Sequence, residues 1–307
     1  MVFAISPPPG HAMNAIMALV SNGIYSQNSK RAYERAIADF LCWGRESGAA
    51  GFTKATLQQY RSALESRGLS ASTINVSLCA IRKLATELAD TGALPQDVAA
   101  AIGKVKGATR KGVRIGNWLS ASQAEDLLLL PDTDTLKGKR DRALLGVLLG
   151  AGLRRSEAAG LTFTHLQQRD GRWIIADLIG KHGRIRSVPF PAWVKAAIDR
   201  WAEAAHLDDA SIFRPINKAG RVTGETLTAQ SIYHIVKHYS HRGGLDIAPH
   251  DLRRSFAKLA RKGHAELEQI QLSLGHGSVT TTELYLGVRQ DLTDAPCDHL
   301  GLHFESL

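Results

Sequence analysis

The sequence predicts a mainly helical protein of the α+β class. An all-helical N-terminal domain is followed by a mostly helical C-terminal domain with one small antiparallel β-sheet. Apolar residues recur at helical spacing over most of the 307 residues. The period changes around residues 172–190, where two short runs rich in β-branched residues flank a turn with glycines, as in a β-hairpin. A basic, glycine-rich segment without apolar periodicity, residues 104–117, marks the boundary between the domains.

The N-terminal domain, placed at residues 25–103, is predicted to contain helices that end at glycine-containing stops. These helices are expected at about residues 28–46 and 53–66, from Ser70 or Ser72 to about Leu88, and at residues 96–102. Residues 1–24 are expected to form a flexible lead-in that can hold a short helix at residues 12–20, because a Pro-Pro-Pro-Gly run interrupts them.

The C-terminal domain is placed at residues 118–289, and residues 290–307 are interpreted as a tail. Ser120 and Gln123 form a predicted capping box at the start of the first helix of this domain. The expected elements are a helix at 136–150, the hairpin at 172–190, helices at 192–205 and 228–241, and further helices within 248–286.

Composition restricts the classes of partner and of site. The formal net charge is +9, which favours a polyanionic partner, nucleic acid first and an anionic membrane surface second. The cysteines (Cys42, Cys79 and Cys297) are far apart and unpaired in spacing, so neither a disulfide framework nor a cysteine zinc site is expected. The longest apolar run, residues 143–153, is too short to span a bilayer, and the N-terminus lacks a signal-peptide pattern. A cytoplasmic protein without a metal or other cofactor is predicted.

The main functional signal lies in residues 248–286, which contain His250, Arg253, His276 and Tyr285. Two imidazoles, a guanidinium and a phenol indicate a site that holds an anion and attacks it with a tyrosine. On the helix after His250, Arg253 is expected at the border of the apolar face, where it is held more rigidly than Arg254. A solvated basic helix face and a half-buried core tyrosine are the ordinary structural interpretations of these residues.

Two further candidates lie about a hundred residues upstream. Arg154 precedes Glu157 by one helical turn, so the carboxylate can orient the guanidinium, although a routine surface salt bridge explains the same spacing. Lys181 lies at the predicted hairpin tip between glycines, where a mobile ammonium can approach a substrate or remain solvated. The basic residues of the boundary segment either form a solvated connector or cross a phosphate backbone. These residues are Lys104, Lys106, Arg110, Lys111 and Arg114.

The order and spacing of these motifs are more specific than any one of them. GLRRSE is followed by GKHGRIRSVP, then HDLRR, then LGH, and then a tyrosine nine residues after the histidine. This series of motifs resembles that of the tyrosine recombinase (phage integrase) family, and the motif sequences are most similar to those of Xer-like and integron-type members. The resemblance covers the whole C-terminal domain, which would be the catalytic domain, and extends more loosely to the N-terminal domain, which would be the SAM-like core-binding domain.

The resemblance implies a role for each matching residue. Arg154 and Arg253 would bind the scissile phosphate, and Lys181 would be the general acid for the leaving 5′-oxygen. His250 and His276 would hydrogen-bond the phosphate or assist proton transfer, with His250 as the base toward the tyrosine.

Tyr285 would be the nucleophile and form a 3′-phosphotyrosyl intermediate without a metal or ATP. Glu157 would stabilise the site from behind Arg154. The chain departs from the family pattern in small ways: His182 replaces a small residue, and Arg155 and Arg254 add charge beside each core arginine. These two arginines are interpreted as contacts to the DNA backbone.

The resemblance also implies double-stranded DNA with specific recombination sites as the partner, self-association into a tetrameric synaptic complex, a Holliday-junction intermediate, association with the nucleoid and no membrane. The tail at 290–307 would dock on a neighbouring protomer or pack on its own chain. Three alternatives remain: a type IB topoisomerase, a metal-dependent nuclease that uses His250, Asp251 and His276, and a non-catalytic DNA-binding derivative.

Overall fold

The chain folds into two compact units, Met1–Arg114 and Ile115–Leu307. The computed structural model describes residues 18, 20–24, 27–49, 51–109, 117–180, 183–276, 282–283 and 286. Each unit is described by itself. No helix among the described residues has an apolar stretch long enough to cross a bilayer.

The first unit is all helical in its described residues. Its helices are α1 (Gln27–Glu46), α2 (Lys54–Ser66), α3 (Ala71–Asp90) and α4 (Gln96–Gly103). The bounds lie within two residues of the predicted ones. Local chemistry fixes two of the starts, because the side chains of Thr53 and Ser70 accept hydrogen bonds from the backbone N–H groups three residues later.

One apolar core holds these four helices together. Ile37, Phe40, Tyr60 and Ile81 lie at its centre and are at most 1 % exposed. Val20 is also buried in this core, so the described end of the predicted lead-in packs against the helices.

The start of the predicted linker also lies against the first unit. Val105 is 3 % exposed, and the Asn75 side chain both donates to the Ala108 carbonyl (3.0 Å) and accepts from the Ala108 N–H (2.7 Å). Arg61 donates to the carbonyl of Lys106 at 2.9 Å. These side-chain contacts to backbone groups order a segment that shows no apolar periodicity of its own.

The second unit is mostly helical and contains one three-stranded sheet among its described residues. Its elements are α5 (Ala121–Leu129), α6 (Leu136–Gly150), α7 (Arg155–Ala159), a 3-10 turn (Phe163–His165), β1 (Leu166–Arg169), β2 (Arg172–Ile179), β3 (Ile185–Pro189), α8 (Ala192–Ala205), α9 (Ala229–Arg242), α10 (Pro249–Lys262) and α11 (Leu267–Leu274). The capping box of Ser120 with Gln123 is present.

The sheet is antiparallel in the order β1-β2-β3, which confirms the predicted hairpin of β2 and β3. The strand β1 was not predicted, because Leu-Gln-Gln-Arg has no apolar alternation. It pairs with β2 through Leu166 opposite Ile175 and Arg169 opposite Arg172. An irregularity between Ile175 and Leu178 shifts the register with β3.

The second core surrounds α6, whose residues Leu144, Leu145, Val147 and Leu148 are fully buried. A polar network crosses this core. Asp141 is fully buried, forms an ion pair with Arg140 at 2.6 Å and accepts a hydrogen bond from the Tyr239 hydroxyl at 3.0 Å. This network joins α6 to α9, the helix that borders the candidate site.

Removing the Asp141 carboxylate should destabilise the second unit strongly. Asp141→Ala leaves the Arg140 guanidinium, only 4 % exposed, without its ion-pair partner, which costs about 3–5 kcal/mol at a buried site. Urea unfolding followed by tryptophan fluorescence measures the loss. As a control, Asp209→Ala removes an ion pair with Arg214 in which the carboxylate is 82 % exposed, and it should leave the midpoint nearly unchanged. Equal effects of the two substitutions would contradict this interpretation.

Candidate functional site

Arg253 lies at the bottom of the site and is 1 % exposed, so it is more deeply buried than its predicted place at the border of the apolar face. Its guanidinium donates to the carbonyl of Gly152 at 2.7 Å and to the carbonyl of Leu274. A guanidinium has five N–H donors in a rigid plane, so these two carbonyls fix its orientation without exhausting its hydrogen-bonding capacity. Arg253 therefore presents a fixed positive charge beneath the site.

Glu157, on the short helix α7, is the carboxylate that organises the arginines. Its Oε1 lies 2.7 Å from Nη1 of Arg154, and its Oε2 accepts the Arg154 backbone N–H at 2.8 Å. Its Oε2 also lies 3.9 Å from Nη1 of Arg253. The predicted contact of the carboxylate with Arg154 is thus present. Glu157 is buried, so this is a shielded pair and not a routine surface salt bridge.

Arg186, on β3, is a site residue that the sequence analysis did not identify. It grips Glu157 through two parallel bonds, Nη1 to Oε1 and Nη2 to Oε2, both 2.9 Å long. Its Nε donates to the carbonyl of Ser273 at 2.9 Å. Arg186 is the second arginine of the GKHGRIRSVP motif, but the sequence does not indicate to which face of the strand its side chain points.

His276 follows the C-terminus of α11 and is half-buried. Its Nδ1 lies 3.0 Å from the Thr282 hydroxyl, and Thr282 is itself fully buried. The backbone N–H of His276 donates to the carbonyl of Gln271 at 3.2 Å, and the Gln271 side chain donates to the carbonyl of His276. His276 is therefore held both at its backbone and at Nδ1 of its ring.

A cavity of about 390 Å³ opens between α7, α9 and the start of α10, and Arg154, His250, Arg253 and Tyr233 are among its lining residues. His250 lies at its rim. Arg155 is exposed beside it, with its guanidinium 5.8 Å from the centre of the Tyr233 ring. The cavity thus has positive groups at its base and at its edge.

Both histidines are shifted toward the neutral form. Burial, followed by the positive charges of Arg253 and Arg154, lowers the pKa of His276 to about 4. Partial burial and the charges of Arg254 and Arg253 lower the pKa of His250 below its usual value. Burial alone would raise the pKa of Glu157, but the hydrogen bonds from Arg186 and Arg154 outweigh it and lower that pKa to about 2. At neutral pH the cluster holds ionised Glu157, cationic arginines and neutral imidazoles.

The structure thus brings five of the predicted residues together: Arg154, Glu157, His250, Arg253 and His276. Lys181, His182 and Tyr285 lie outside the described residues, as do Arg110, Lys111 and Arg114. Lys104 and Lys106 are exposed on the first unit. Arg254 forms an ion pair with Asp251 at 3.3 Å.

A metal centre is not assembled by the described histidines and carboxylates. His250, Asp251 and His276, the ligands that a metal-dependent nuclease would need, do not converge into a group that could hold an ion. Asp251 instead accepts the backbone N–H of Ala248 at 3.0 Å and caps the start of α10. The described part of the site is chemically suited to an anion, because fixed guanidinium and imidazole donors surround it.

Two family models match the chain. The phage integrase family model matches residues 117–291, and the model of the phage integrase N-terminal SAM-like domain matches residues 17–92. The chain is 32 % identical over 265 residues to tyrosine recombinase XerC of Xylella fastidiosa, a match that covers 85 % of this chain and 86 % of the relative. It is 28 % identical over 295 residues to tyrosine recombinase XerD of Vibrio cholerae, with 93 % and 94 % covered.

Solved structures share the fold. XerH site-specific recombinase bound to a palindromic difH substrate matches with a TM-score of 0.67 at 19 % identity, covering 95 % of this chain and 88 % of that one. A lambda integrase dimer bound to a COC′ core site matches with a TM-score of 0.65 at 16 % identity, covering 97 % and 98 %. These likenesses, with the SAM-like domain match, confirm the predicted fold class.

The imidazole of His276 should titrate near pH 4 in the DNA-free protein, since burial and the nearby arginines disfavour its charged form. NMR of protein labelled at histidine measures the midpoint, and loss of the signal in His276→Gln assigns it. An unfolded chain takes up this proton near pH 6.5, so folding stability should fall as the pH decreases from about 6.5 to about 4. A midpoint close to 6.5 would contradict the burial and charge described for this ring.

Proposed function

Because this chain belongs to the phage integrase family of tyrosine recombinases, we propose that it is a site-specific recombinase that cleaves and rejoins DNA strands at specific sites. The observation that carries this proposal is the cluster in which the buried Glu157 and Arg253 lie beside Arg154, at a cavity that Arg154 and His250 line. Such a cluster suits a phosphodiester, whose non-bridging oxygens gain negative charge during attack at phosphorus.

In the proposed reaction Tyr285 attacks the scissile phosphorus. The phenolic oxygen forms a bond to phosphorus, the bond to the 5′-oxygen breaks, and the products are a 3′-phosphotyrosyl enzyme and a free 5′-hydroxyl. One phosphate ester replaces another, so rejoining needs no ATP. When the 5′-hydroxyl of a partner strand attacks the phosphotyrosine, its oxygen bonds to phosphorus, the bond from phosphorus to the Tyr285 oxygen breaks, and the phenol regains a proton. The strands are thereby exchanged, and exchange of one pair produces a Holliday junction.

Each proton transfer has a proposed residue. A phenol has a pKa near 10 and is protonated at neutral pH, so it needs a base. His250 is proposed for this role, since its lowered pKa leaves the imidazole neutral and able to accept a proton. Lys181 is proposed to protonate the leaving 5′-oxygen. His276 donates to a non-bridging oxygen, with its ring held by Thr282.

The arginines are proposed to hold the phosphate. Arg154, whose side chain is 29 % exposed, faces the cavity and can grip a phosphate while Glu157 orients it. Arg253 supplies charge from below. Arg155 and Arg254, together with the basic residues from Lys104 to Arg114, are proposed contacts to the DNA backbone.

Tyr285→Phe should abolish covalent adducts while DNA binding persists, since only the attacking oxygen is removed. The target DNA is first selected from a random pool, and a nicked suicide duplex of that sequence then traps the adduct. Tyr233→Phe is the companion variant, because Tyr233 also borders the cavity. Adducts that persist in Tyr285→Phe and vanish in Tyr233→Phe would contradict this assignment and identify Tyr233 as the nucleophile.

Lys181→Ala should reduce cleavage of ordinary DNA by about 10²–10⁴-fold, the usual contribution of a general acid. A substrate with sulfur in place of the scissile 5′-oxygen should restore the rate, because a thiolate leaves without protonation. Arg154→Ala provides the comparison, since sulfur at the leaving position does not replace its charge. Equal rescue of both variants would refute the role of Lys181.

The active assembly is proposed to be a tetramer on paired DNA sites, with the tail at 290–307 docked on a neighbouring protomer. Light scattering of the protein bound to its selected site should give a smaller assembly when residues 290–307 are deleted. An unchanged mass would show that the tail is not exchanged.

A plasmid relaxation assay beside a two-site recombination assay separates a recombinase from a topoisomerase.

A further inference from the structure

We infer that Arg186 is a positioning residue that fixes the orientations of both Arg154 and His276. This inference rests on the proposed roles of Arg154 and His276. Arg186 lies on β3, and its side chain is 10 % exposed, so it is not a residue that DNA reaches first. Its contacts join three parts of the second unit that are far apart in sequence.

The first contact is with the carboxylate that orients Arg154. Arg186 binds both oxygens of Glu157 in the planar two-bond arrangement, whereas Arg154 binds one oxygen through its side chain and the other through its backbone N–H. Arg186 thus fixes the plane of the carboxylate. Without it, Glu157 would be able to turn and take Arg154 into a two-bond pair, which would turn that guanidinium away from the cavity.

The second contact is with the helix end that carries His276. Nε of Arg186 donates to the carbonyl of Ser273, and Arg253 donates to the carbonyl of the next residue, Leu274. Carbonyls in the last turn of a helix lack intrahelical partners and carry partial negative charge. Arg186 and the buried Arg253 therefore hold the last turn of α11, and His276 follows Leu274 by two residues.

Gly275 makes this contact a close one. Its φ is +61°, the left-handed region that favours glycine, and a Cβ atom there would lie 2.9 Å from Cδ of Arg186. The turn that leads to His276 is therefore packed directly on the arginine stem. A shorter or longer side chain at residue 186 would shift the turn and, with it, the imidazole.

The third contact is with the end of β2. A Cβ atom at Gly180 would lie 3.2 Å from Nη1 of Arg186 and 3.8 Å from Nη1 of Arg154. The backbone at Gly180 thus passes over both guanidinium groups, and Gly180 is the residue before Lys181. Arg186 therefore lies beside the carboxylate that holds Arg154, beside Gly180 and beside the turn that leads to His276.

The test compares Arg186→Lys and Arg186→Met with Arg142→Lys. Arg142 is a matched control, because it also donates to backbone carbonyls, but these are the carbonyls of Leu129 and Pro131, at and just after the end of α5. Lysine keeps the charge at residue 186 but lacks the planar fork, so Arg186→Lys isolates geometry from charge. Should the methionine variant fail to fold, the lysine variant decides.

The first measurement uses the DNA-free protein and does not depend on the proposed function. Histidine NMR should show a displaced His276 resonance in Arg186→Lys and a titration midpoint raised from about 4 toward 6.5, since the turn opens to water. Arg142→Lys should leave both unchanged. An unaltered His276 in Arg186→Lys would overturn the inference.

The second measurement is adduct formation at saturating protein on the selected DNA. Arg186→Lys should slow it by about 10- to 10²-fold, the usual cost of a small misplacement, with little change in DNA affinity. A neutral methylphosphonate at the scissile position should narrow this gap, because it lacks the charge that Arg154 neutralises. A wild-type rate in Arg186→Lys would overturn the inference while leaving the proposed function intact. Absence of wild-type adducts would instead refute the proposed function, and the histidine measurement would still decide the role of Arg186.

Discussion

The site depends on one buried carboxylate that faces three guanidinium groups. Glu157 contacts Arg154 and Arg186 at hydrogen-bond distance and Arg253 at 3.9 Å. A single carboxylate cannot neutralise three cations, so the cluster keeps an excess of positive charge in a poorly hydrated place. That excess is unfavourable in the protein without DNA and becomes favourable when a phosphate enters. The cluster is therefore organised before its ligand arrives, and no large rearrangement of dipoles is needed during the reaction.

The positive charge of the arginines also determines the protonation state of the two histidines. The excess charge that suits a phosphate also keeps His250 and His276 neutral, by lowering their pKa values. A bound phosphate would offset that charge and move both pKa values upward again. Phosphate binding and the protonation of these rings are thus linked: the arginines favour neutral imidazoles in the free protein, and a bound phosphate would increase the fraction that is protonated.

Much of the fold could be predicted from the sequence, because local chemistry determines it. The helix bounds follow from apolar periodicity and from caps such as Thr53, Ser70 and Ser120, and β2 and β3 follow from β-branched runs around glycines. The strand β1 was not predicted, because its own residues show no apolar alternation and the strand is formed by pairing with β2. In the site, the contact of Arg154 with Glu157 is local in sequence and was foreseen. The depth of Arg253 and the contacts of Arg186 were not, since they join residues 21 to 101 positions apart.

The acceptors that Arg186 and Arg253 use at the end of α11 have an evolutionary consequence. Both arginines bind main-chain carbonyls, those of Ser273 and Leu274, and every residue type carries such a carbonyl. These bonds therefore place no constraint of their own on the side chains at 273 and 274, although Leu274 is restricted by its burial in an apolar cluster. Correlated substitution, which detects contacts between side chains, should be silent here. These two links would leave no trace in an alignment except the constancy of the arginines themselves.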